Sequence, residues 1–313
     1  MISFGPVPSR RLGKSLGINN VIRPKVCSYS CLYCQVGQTR NTTLTRQSFF
    51  TPEQIFREVE SHLGKLSPGD RPDYLTFVSN GEPTLDINLG RSIDMLRGLD
   101  IPIAVITNSS MLTFPEVRSE LSGADWVSLK VDSADAGTWQ KVNRPAEGLA
   151  FDTLLEGVML FAGEFKGKLR TETMLCKGIN DSRENLRDVA AIITAMKAGK
   201  AYISIPIRPP AEKDVTAPGV ESVNIAWQIF READIDTELL TGFEGVDAGS
   251  TGNIYEDILN ITAVHPLRED SLRELLSKNG ADFSIVESLL SQRLIKRTFY
   301  EGHKFYLRDF QVN

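Results

Sequence analysis

The chain has 313 residues, 41% of them hydrophobic and 24% charged, with a net charge of −5. This composition is typical of a globular protein long enough for one large core and a smaller appended unit. No apolar run reaches the roughly 18 residues that a membrane-spanning helix needs, and the first residues lack the basic and apolar regions of a signal peptide. We therefore expect a cytoplasmic protein without a membrane partner.

The most informative motif comes early, where Cys27, Cys31 and Cys34 lie within eight residues. Iron–sulfur cubanes usually take four cysteine thiolates, so three cysteines leave one iron open to a ligand that is not protein. Structural zinc requires four ligands in a different spacing, and the three histidines are scattered. The remaining cysteine, Cys176, follows a strand-like stretch and is expected to be a small buried hydrophobic residue.

After the cysteine loop, helices alternate with short apolar strands. Thr51 as N-cap, Pro52 and Gln54 predict a helix start with a capping box. The predicted strands cover residues 74–78, 101–106, 126–131, 169–175 and 202–206. This βα alternation predicts a parallel sheet, and about six repeats suit an incomplete (β/α)6 barrel whose ligands bind at the C-terminal strand ends.

Polar residues follow several of these strands. Gly81, Glu82 and Pro83 come after the first, and Thr107 and Asn108 after the next. They form either part of a binding site or, for the Gly-Glu-Pro run, an ordinary turn.

On the third predicted strand, Ser128, Lys130 and Asp132 share one face because strand side chains alternate. An inward lysine needs an anion, which is either a ligand carboxylate or a neighbouring Asp or Glu.

Beyond residue 250 the pattern changes. A helix is expected from Asn253, further helices over 267–278 and 284–292, and a hairpin of strands 294–300 and 304–307. Ser284 and Glu287 predict a capping box. The order predicts a winged helix of near-neutral charge, in which only the hairpin concentrates basic residues: Lys296, Arg297, Lys304 and Arg308. Nucleic acid and peptide therefore both remain possible partners.

The Cys-x3-Cys-x2-Cys loop, with Tyr33 before its last cysteine, resembles the signature of the radical S-adenosylmethionine (SAM) superfamily. The resemblance implies a partial (β/α)6 TIM-like barrel over residues 1–250, with the winged-helix unit at 251–313. It also implies a [4Fe–4S] cluster on Cys27, Cys31 and Cys34, with SAM on the open iron. Reductive cleavage of SAM to a 5′-deoxyadenosyl radical, fed by a low-potential flavodoxin or ferredoxin, is the implied activity.

The same resemblance implies the residues that contact SAM. Gly81, Glu82 and Pro83 are expected at its amino group, although Asn80 replaces a usual glycine. Lys130 or Ser128 is expected at its carboxylate, with Lys130 also assigned a catalytic role. The remaining contacts are expected from Tyr33, Thr107, Asn108, Thr171, Thr173, Ile205 and Pro206.

The opening run Phe4 to Asn19, together with Val127 to Asp132 and Asn143-Arg144-Pro145, resembles a branch loosely grouped with archaeal wyosine-tRNA synthases. Those enzymes carry additional N-terminal cysteines for a second cluster, and no cysteine precedes Cys27 here. Their reaction is thus not implied, and the substrate stays open between RNA or a nucleoside, a peptide and a small metabolite. Arg144, assigned as catalytic, and the Arg10/Arg11 pair either face the substrate or form solvated basic turns. The non-catalytic alternatives are an iron–sulfur winged-helix regulator and an electron-transfer protein.

Overall fold

The computed structural model describes residues 2–21, 24–243 and 245–309. Its main feature is an eight-stranded sheet in which the strands follow chain order. The first two strands, β1 and β2, form an antiparallel hairpin, and every neighbouring pair from β2 to β8 is parallel. The strands are β1 Ser3–Ser9, β2 Gly13–Ile18, β3 Tyr74–Phe77, β4 Ile103–Thr107, β5 Trp126–Lys130, β6 Lys168–Met174, β7 Lys200–Ser204 and β8 Thr237–Leu240.

The predicted α/β fold is confirmed as a curled half-barrel sheet, although it has seven parallel strands instead of about six repeats. The hairpin was not predicted because β2 contains two glycines, which weaken a strand pattern. The last strand, β8, has only four residues and is half-buried at two of them.

Helices cover the outside of the sheet between the parallel strands. They are α1 Pro52–Leu63, α2 Leu89–Leu96, α3 Pro115–Leu121, α4 Ala136–Asn143, α5 Phe151–Glu164, α6 Arg183–Met196 and α7 Val220–Glu232. The predicted capping box of α1 is confirmed: Gln54 N–H donates to Thr51 Oγ1 at 3.2 Å, and Thr51 N–H donates to Gln54 Oε1 at 2.8 Å.

The inside of the half-barrel has its own apolar cluster, most of it toward the N-terminal ends of the strands, with Leu240 at the end of the short strand β8. The cluster consists of Leu12, Ala104, Trp126, Tyr202 and Leu240. Above this cluster the inward-facing residues become polar, beginning with Thr76 and Ser128 and ending with Lys130 and Glu172. The apolar cluster therefore closes the bottom of the barrel and leaves a pocket at the C-terminal strand ends.

The C-terminal elements form a compact unit against β1. They are α8 Ile254–Val264, β9 Leu267–Arg268, α9 Glu269–Lys278, α10 Ser284–Ser291, β10 Ile295–Tyr300 and β11 His303–Arg308. The three strands form an antiparallel sheet in the order β10, β11, β9. Phe4 and Val7 of β1 belong to the same core as Ile258 and Ile261 of α8, so this unit is packed onto the barrel.

Two local predictions in this unit were wrong. The helix expected from residue 267 begins at Glu269, because Leu267 pairs with Tyr306 of β11. Ser284 is the first residue of α10 and makes no capping box with Glu287; instead its N–H donates to Asp282 Oδ1 at 2.8 Å.

Among the residues that the structure describes, no helix is long and apolar enough to cross a membrane.

Candidate active site

The cysteine loop follows β2 and crosses the C-terminal end of the barrel. Backbone hydrogen bonds tie it to the end of α4: Ser30 N–H donates to Asn143 O at 3.0 Å, and Leu32 N–H donates to Val142 O at 3.0 Å. A further bond joins Cys34 N–H to Cys31 O at 3.2 Å. The loop therefore holds its three cysteines on a defined backbone next to the pocket.

Each of the three cysteine sulfurs accepts a hydrogen bond from a polar side chain. Asn108 Nδ2 lies 3.5 Å from Cys27 Sγ, and Asn143 Nδ2 lies 3.4 Å from Cys31 Sγ. Lys25 Nζ donates to Cys34 Sγ at 3.1 Å. Donors around thiolate ligands stabilise their charge and orient them toward a metal. The cysteine loop thus fits an iron–sulfur cluster in its donor set as well as in its spacing.

Burial also affects the protonation of two of these cysteines. Burial raises the pKa of Cys27, and it raises the pKa of Cys31 to about 12. Both would be neutral thiols without a metal, so ligation would release their protons.

A single metal ion fits the residues less well than a cluster does. Within the described parts of the chain, no three His, Cys, Asp or Glu side chains are grouped as a mononuclear site would need. In a cubane each cysteine binds a different iron, so its ligands are farther apart than around one ion. Cys176 is fully buried beside Leu32 and Val215, as expected of a hydrophobic residue.

The turn after β3 passes directly over the cysteine loop. A Cβ atom on Gly81 would lie 1.8 Å from the carbonyl oxygen of Val26, and the next residue, Glu82, donates its N–H to that oxygen at 3.0 Å. Glycine is required here by this close backbone approach. The Gly-Glu-Pro turn is therefore part of the support for the segment that precedes Cys27.

The Glu82 carboxylate is buried and held by neighbouring strand ends. Its Oε1 accepts hydrogen bonds from the Thr84 and Thr107 hydroxyls, both at 2.6 Å, and its Oε2 accepts from Asn108 N–H at 2.8 Å. Burial raises the pKa of Glu82, while these donors oppose that effect. A carboxylate has about four lone-pair sites, so Oε2 retains capacity for one further donor.

Lys130 faces the pocket inside a buried charge network. Its Nζ donates to Glu172 Oε1 at 3.1 Å and lies 3.8 Å from Asp132 Oδ1. It also lies 4.9 Å from the centre of the Tyr33 ring, whose hydroxyl donates to Asp132. The sequence left two kinds of anion open for this lysine, a ligand carboxylate or a neighbouring Asp or Glu. In the structure its partners are the neighbouring carboxylates of Glu172 and Asp132.

Glu172 connects this network to the N-terminal hairpin, because it also pairs with Arg11 and accepts from Ser204 Oγ at 2.8 Å. Although burial opposes ionisation, Lys130 and Arg11 lower the pKa of Glu172 to about 2. Two cations thus balance the carboxylates of Glu172 and Asp132 at the rim of the barrel.

These groups border one pocket of about 310 Å³. Most residues predicted for the site line it: Cys27, Cys31, Tyr33, Cys34, Gly81, Glu82, Thr107, Asn108, Lys130, Ile205 and Pro206. The pocket is thus continuous from the cysteine sulfurs to the Glu82 and Lys130 side chains.

Five predicted site residues do not line this pocket. Thr173 faces the helical layer and donates to Val131 O at 2.8 Å, because alternate residues of β6 face opposite sides. The same alternation turns Thr171 away, and the inward residues are Glu172 and Met174. Of the other three, Ser128 is buried deeper in the barrel, Pro83 starts a 3-10 turn, and Arg144 lies elsewhere.

Arg144 ends α4 in a left-handed conformation, with its side chain 47% exposed and paired with Glu212. It lies beside the cysteine loop at the surface, outside the pocket. Arg10 is also exposed, whereas its neighbour Arg11 lines the pocket.

Sequence reasoning missed several pocket residues. Lys25 was not noticed, although a lysine two residues before the first cysteine is a signal for charge compensation. Nothing local marks Glu172 and Ser204 as a pair, because they meet only through the register of β6 and β7. Val264 and His265, at the end of α8, also line the pocket.

Comparison with known proteins gives consistent matches. The family profile described as the radical SAM superfamily matches residues 21–190. A UPF0026 protein of Methanocaldococcus jannaschii is 45% identical over 99% of this chain and 97% of its own length. A UPF0026 protein of Synechocystis is 33% identical over 69% of this chain and 80% of its own.

Two further matches cover less. A GTPase Obg of Brachyspira hyodysenteriae is 34% identical over 92% of this chain, but the match spans only 42% of that protein. A radical SAM methyltransferase structure from Sphaerobacter thermophilus aligns with a TM-score of 0.57 and 17% identity, over 72% of this chain and 66% of that one. At that identity the structural match supports the fold alone.

Proposed function

This chain belongs to the radical SAM superfamily and to the UPF0026 family, and on that premise we propose that Cys27, Cys31 and Cys34 hold its [4Fe–4S] cluster. It is an enzyme that uses SAM together with this cluster. When both are bound, reductive cleavage of SAM supplies a 5′-deoxyadenosyl radical that abstracts hydrogen from a substrate. The non-catalytic alternatives, a regulator or an electron carrier, are not favoured.

The observation that carries the ligand assignment is the set of three side-chain N–H donors, one to each cysteine sulfur. Lys25, Asn108 and Asn143 come from three different segments and converge on one loop. Such a shell around three thiolates would stabilise the negative charge of a cluster.

The pocket chemistry suits SAM in particular. We assign its amino group to the free lone pair of Glu82 Oε2, next to Thr107 and Asn108. We assign its carboxylate to Lys130, whose ammonium has three N–H groups and so adds this contact to the one with Glu172. Tyr33 and Ile205 border the same pocket and would contact the adenosyl part.

The substrate would enter beside the C-terminal unit, because Val264 and His265 form part of the pocket wall. We further propose that this unit, whose elements follow the order helix, strand, two helices and hairpin, is a winged helix that presents RNA or a peptide. The enzyme requires an external reductant, for which we propose flavodoxin or ferredoxin. A reducing compartment, the cytoplasm, would keep the cluster thiolates reduced.

The proposal is tested by adding SAM to the anaerobically reconstituted, reduced protein and recording the electron paramagnetic resonance (EPR) spectrum of the cluster. SAM that binds an open iron should change the spectrum. S-adenosylhomocysteine, which lacks the sulfonium charge, is the matched control for cleavage. An EPR spectrum that is identical with and without saturating SAM would contradict the open-iron assignment.

A further inference from the structure

The hairpin of β10 and β11 ends at the wall of the pocket. Tyr300, the last residue of β10, donates its hydroxyl to the carbonyl oxygen of Pro206 at 2.9 Å, and Pro206 lines the pocket beside Ile205. This contact joins the tip of the C-terminal hairpin to the loop after β7. Whatever the tip binds is therefore held close to the pocket.

An exposed aromatic residue lies at this tip. Phe299 is 65% exposed, more than any other phenylalanine or tryptophan in the part of the chain that the structure describes. It pairs across the hairpin with Lys304, and farther along the same face Ile295 and Tyr306 are buried in the C-terminal core. This face of the hairpin is therefore buried in the C-terminal core at the base of the hairpin and exposes an aromatic ring at the tip.

The hairpin is also basic within an acidic chain. Between residues 295 and 308 the charged residues are Lys296, Arg297, Lys304 and Arg308 against Glu301 alone, while the whole chain carries −5. Lys304 pairs with Glu269 at 3.1 Å. Lys296 and Arg297 are exposed, and among the described residues neither forms an ion pair with a carboxylate. Because strand side chains alternate, Arg297 lies on the face of Phe299 and Lys296 on the opposite face.

From this combination we propose that the hairpin tip is a binding site for single-stranded nucleic acid, with Phe299 stacking on one base and Arg297, on the same face, contacting a phosphate. Lys296 projects from the opposite face of this edge strand and would contact the phosphate backbone where it passes the edge. The inference rests on the proposed function in one respect, since it assigns a substrate class to that enzyme. Aromatic stacking beside a cationic surface is how proteins hold unpaired bases without reading a long sequence. Phe299 and Tyr300 project to opposite faces of β10, so a base bound at Phe299 would lie across the hairpin tip from the Tyr300–Pro206 contact, one residue along the strand from the pocket wall.

A peptide would use the same hairpin differently. Because β10 is an edge strand, a peptide could add to it by main-chain hydrogen bonds. That mode would not depend on the Phe299 ring and would respond weakly to salt. The two partners are therefore distinguishable by one variant and one salt titration.

The test measures fluorescence anisotropy of a labelled single strand of about 12 nucleotides, within the range that single-strand sites cover, with the full-length reconstituted protein. RNA and DNA of the same sequence, and a duplex of each, are compared. Phe299→Ala should weaken single-strand binding roughly 5- to 150-fold, the range of base stacking, and Phe299→Tyr should restore it. The duplexes should bind more weakly because their bases are paired.

The charge part of the proposal is tested with Lys296→Glu/Arg297→Glu. Losing two phosphate contacts should lower the slope of log affinity against log salt by about 1.4, at about 0.7 per contact. Matched controls are Lys65→Glu, an exposed lysine after α1, and Leu160→Ala, an apolar residue 44% exposed on α5. Both should bind as the wild type does.

Equal affinity of wild type and Phe299→Ala, or a loss of binding in Lys65→Glu as large as in the double variant, would overturn the proposal. Absence of single-strand binding by the folded wild-type protein would also overturn it. Cleavage of SAM by the wild type is measured separately, so its failure would remove the proposed function without changing the binding result.

Discussion

Replacing Gly81 with alanine should damage the cluster site through the backbone. The added Cβ would lie 1.8 Å from Val26 O, and real Cβ contacts are essentially never closer than 3.0 Å, so the two segments must separate by about 1.2 Å. That shift would break the 3.0 Å hydrogen bond from Glu82 N–H to Val26 O. Leaving its buried donor unpaired costs about 1–3 kcal/mol, and Cys27 is the residue next to the one displaced.

The assay compares iron and sulfide per chain after anaerobic reconstitution, together with urea unfolding of the metal-free protein. Gly81→Ala should unfold at a lower urea concentration than the wild type and retain well under half of the wild-type iron. Gly163→Ala is the matched control, because nothing lies within 4 Å of the added Cβ and Gly163 is the penultimate residue of α5. At this helix end the free energy of unfolding should rise by at most about 0.5–1 kcal/mol, and the variant should keep its cluster. Full iron content in Gly81→Ala would refute the claim that this turn supports the cysteine loop.

Three further predictions address the pocket. Glu82→Ala should weaken SAM binding roughly 10- to 100-fold, the range for losing a hydrogen bond to a charged group, and Glu82→Gln should weaken it less. Equal SAM affinities of wild type and Glu82→Ala in equilibrium dialysis would exclude the contact. Lys25→Met should lower the reduction potential of the cluster in an EPR-monitored redox titration, because it removes a cation beside Cys34 Sγ; an unchanged or higher potential would contradict this. Glu172 has its pKa lowered from 4.5 to about 2, so its stabilising effect is complete above pH 4.5 and is lost as the pH falls toward 2. That shift corresponds to an upper bound of about 3 kcal/mol. The free energy of unfolding of the metal-free protein, measured with urea, should therefore fall more steeply between pH 5 and pH 3 in wild type than in Glu172→Gln. Equal slopes would show that the carboxylate is not stabilised as described.

The sequence predicted those parts of the protein that depend on local patterns. The capping box at Thr51 was found because its donors and acceptors lie three residues apart. The loop of Cys27, Cys31 and Cys34 was recognisable because its spacing is contiguous. The five predicted strands, which correspond to β3 through β7, were placed within about two residues for the same reason, since buried parallel strands are continuous apolar runs.

What the sequence did not predict depends on contacts between distant segments. The sequence predicts Thr173 as a site residue and not Glu172, because a strand pattern does not say which of its two alternating faces turns inward. The partners of Lys130 were left open because Glu172 lies 42 residues away and meets it only through strand register. Arg144 was expected in the pocket as part of a family run, but its left-handed backbone at the end of α4 directs it to Glu212.

The central claim is that this chain cleaves SAM at a cluster held by three cysteines, and the most direct measurement is formation of 5′-deoxyadenosine from SAM by the reduced, reconstituted protein. Wild type and Cys176→Ala should form 5′-deoxyadenosine and methionine in equal amounts, slowly without substrate. Cys27→Ala, Cys31→Ala and Cys34→Ala should form neither, because each removes a ligand of the cluster. Continued cleavage in any of these three variants, or no cleavage by a wild-type protein that holds about four irons, would contradict the account.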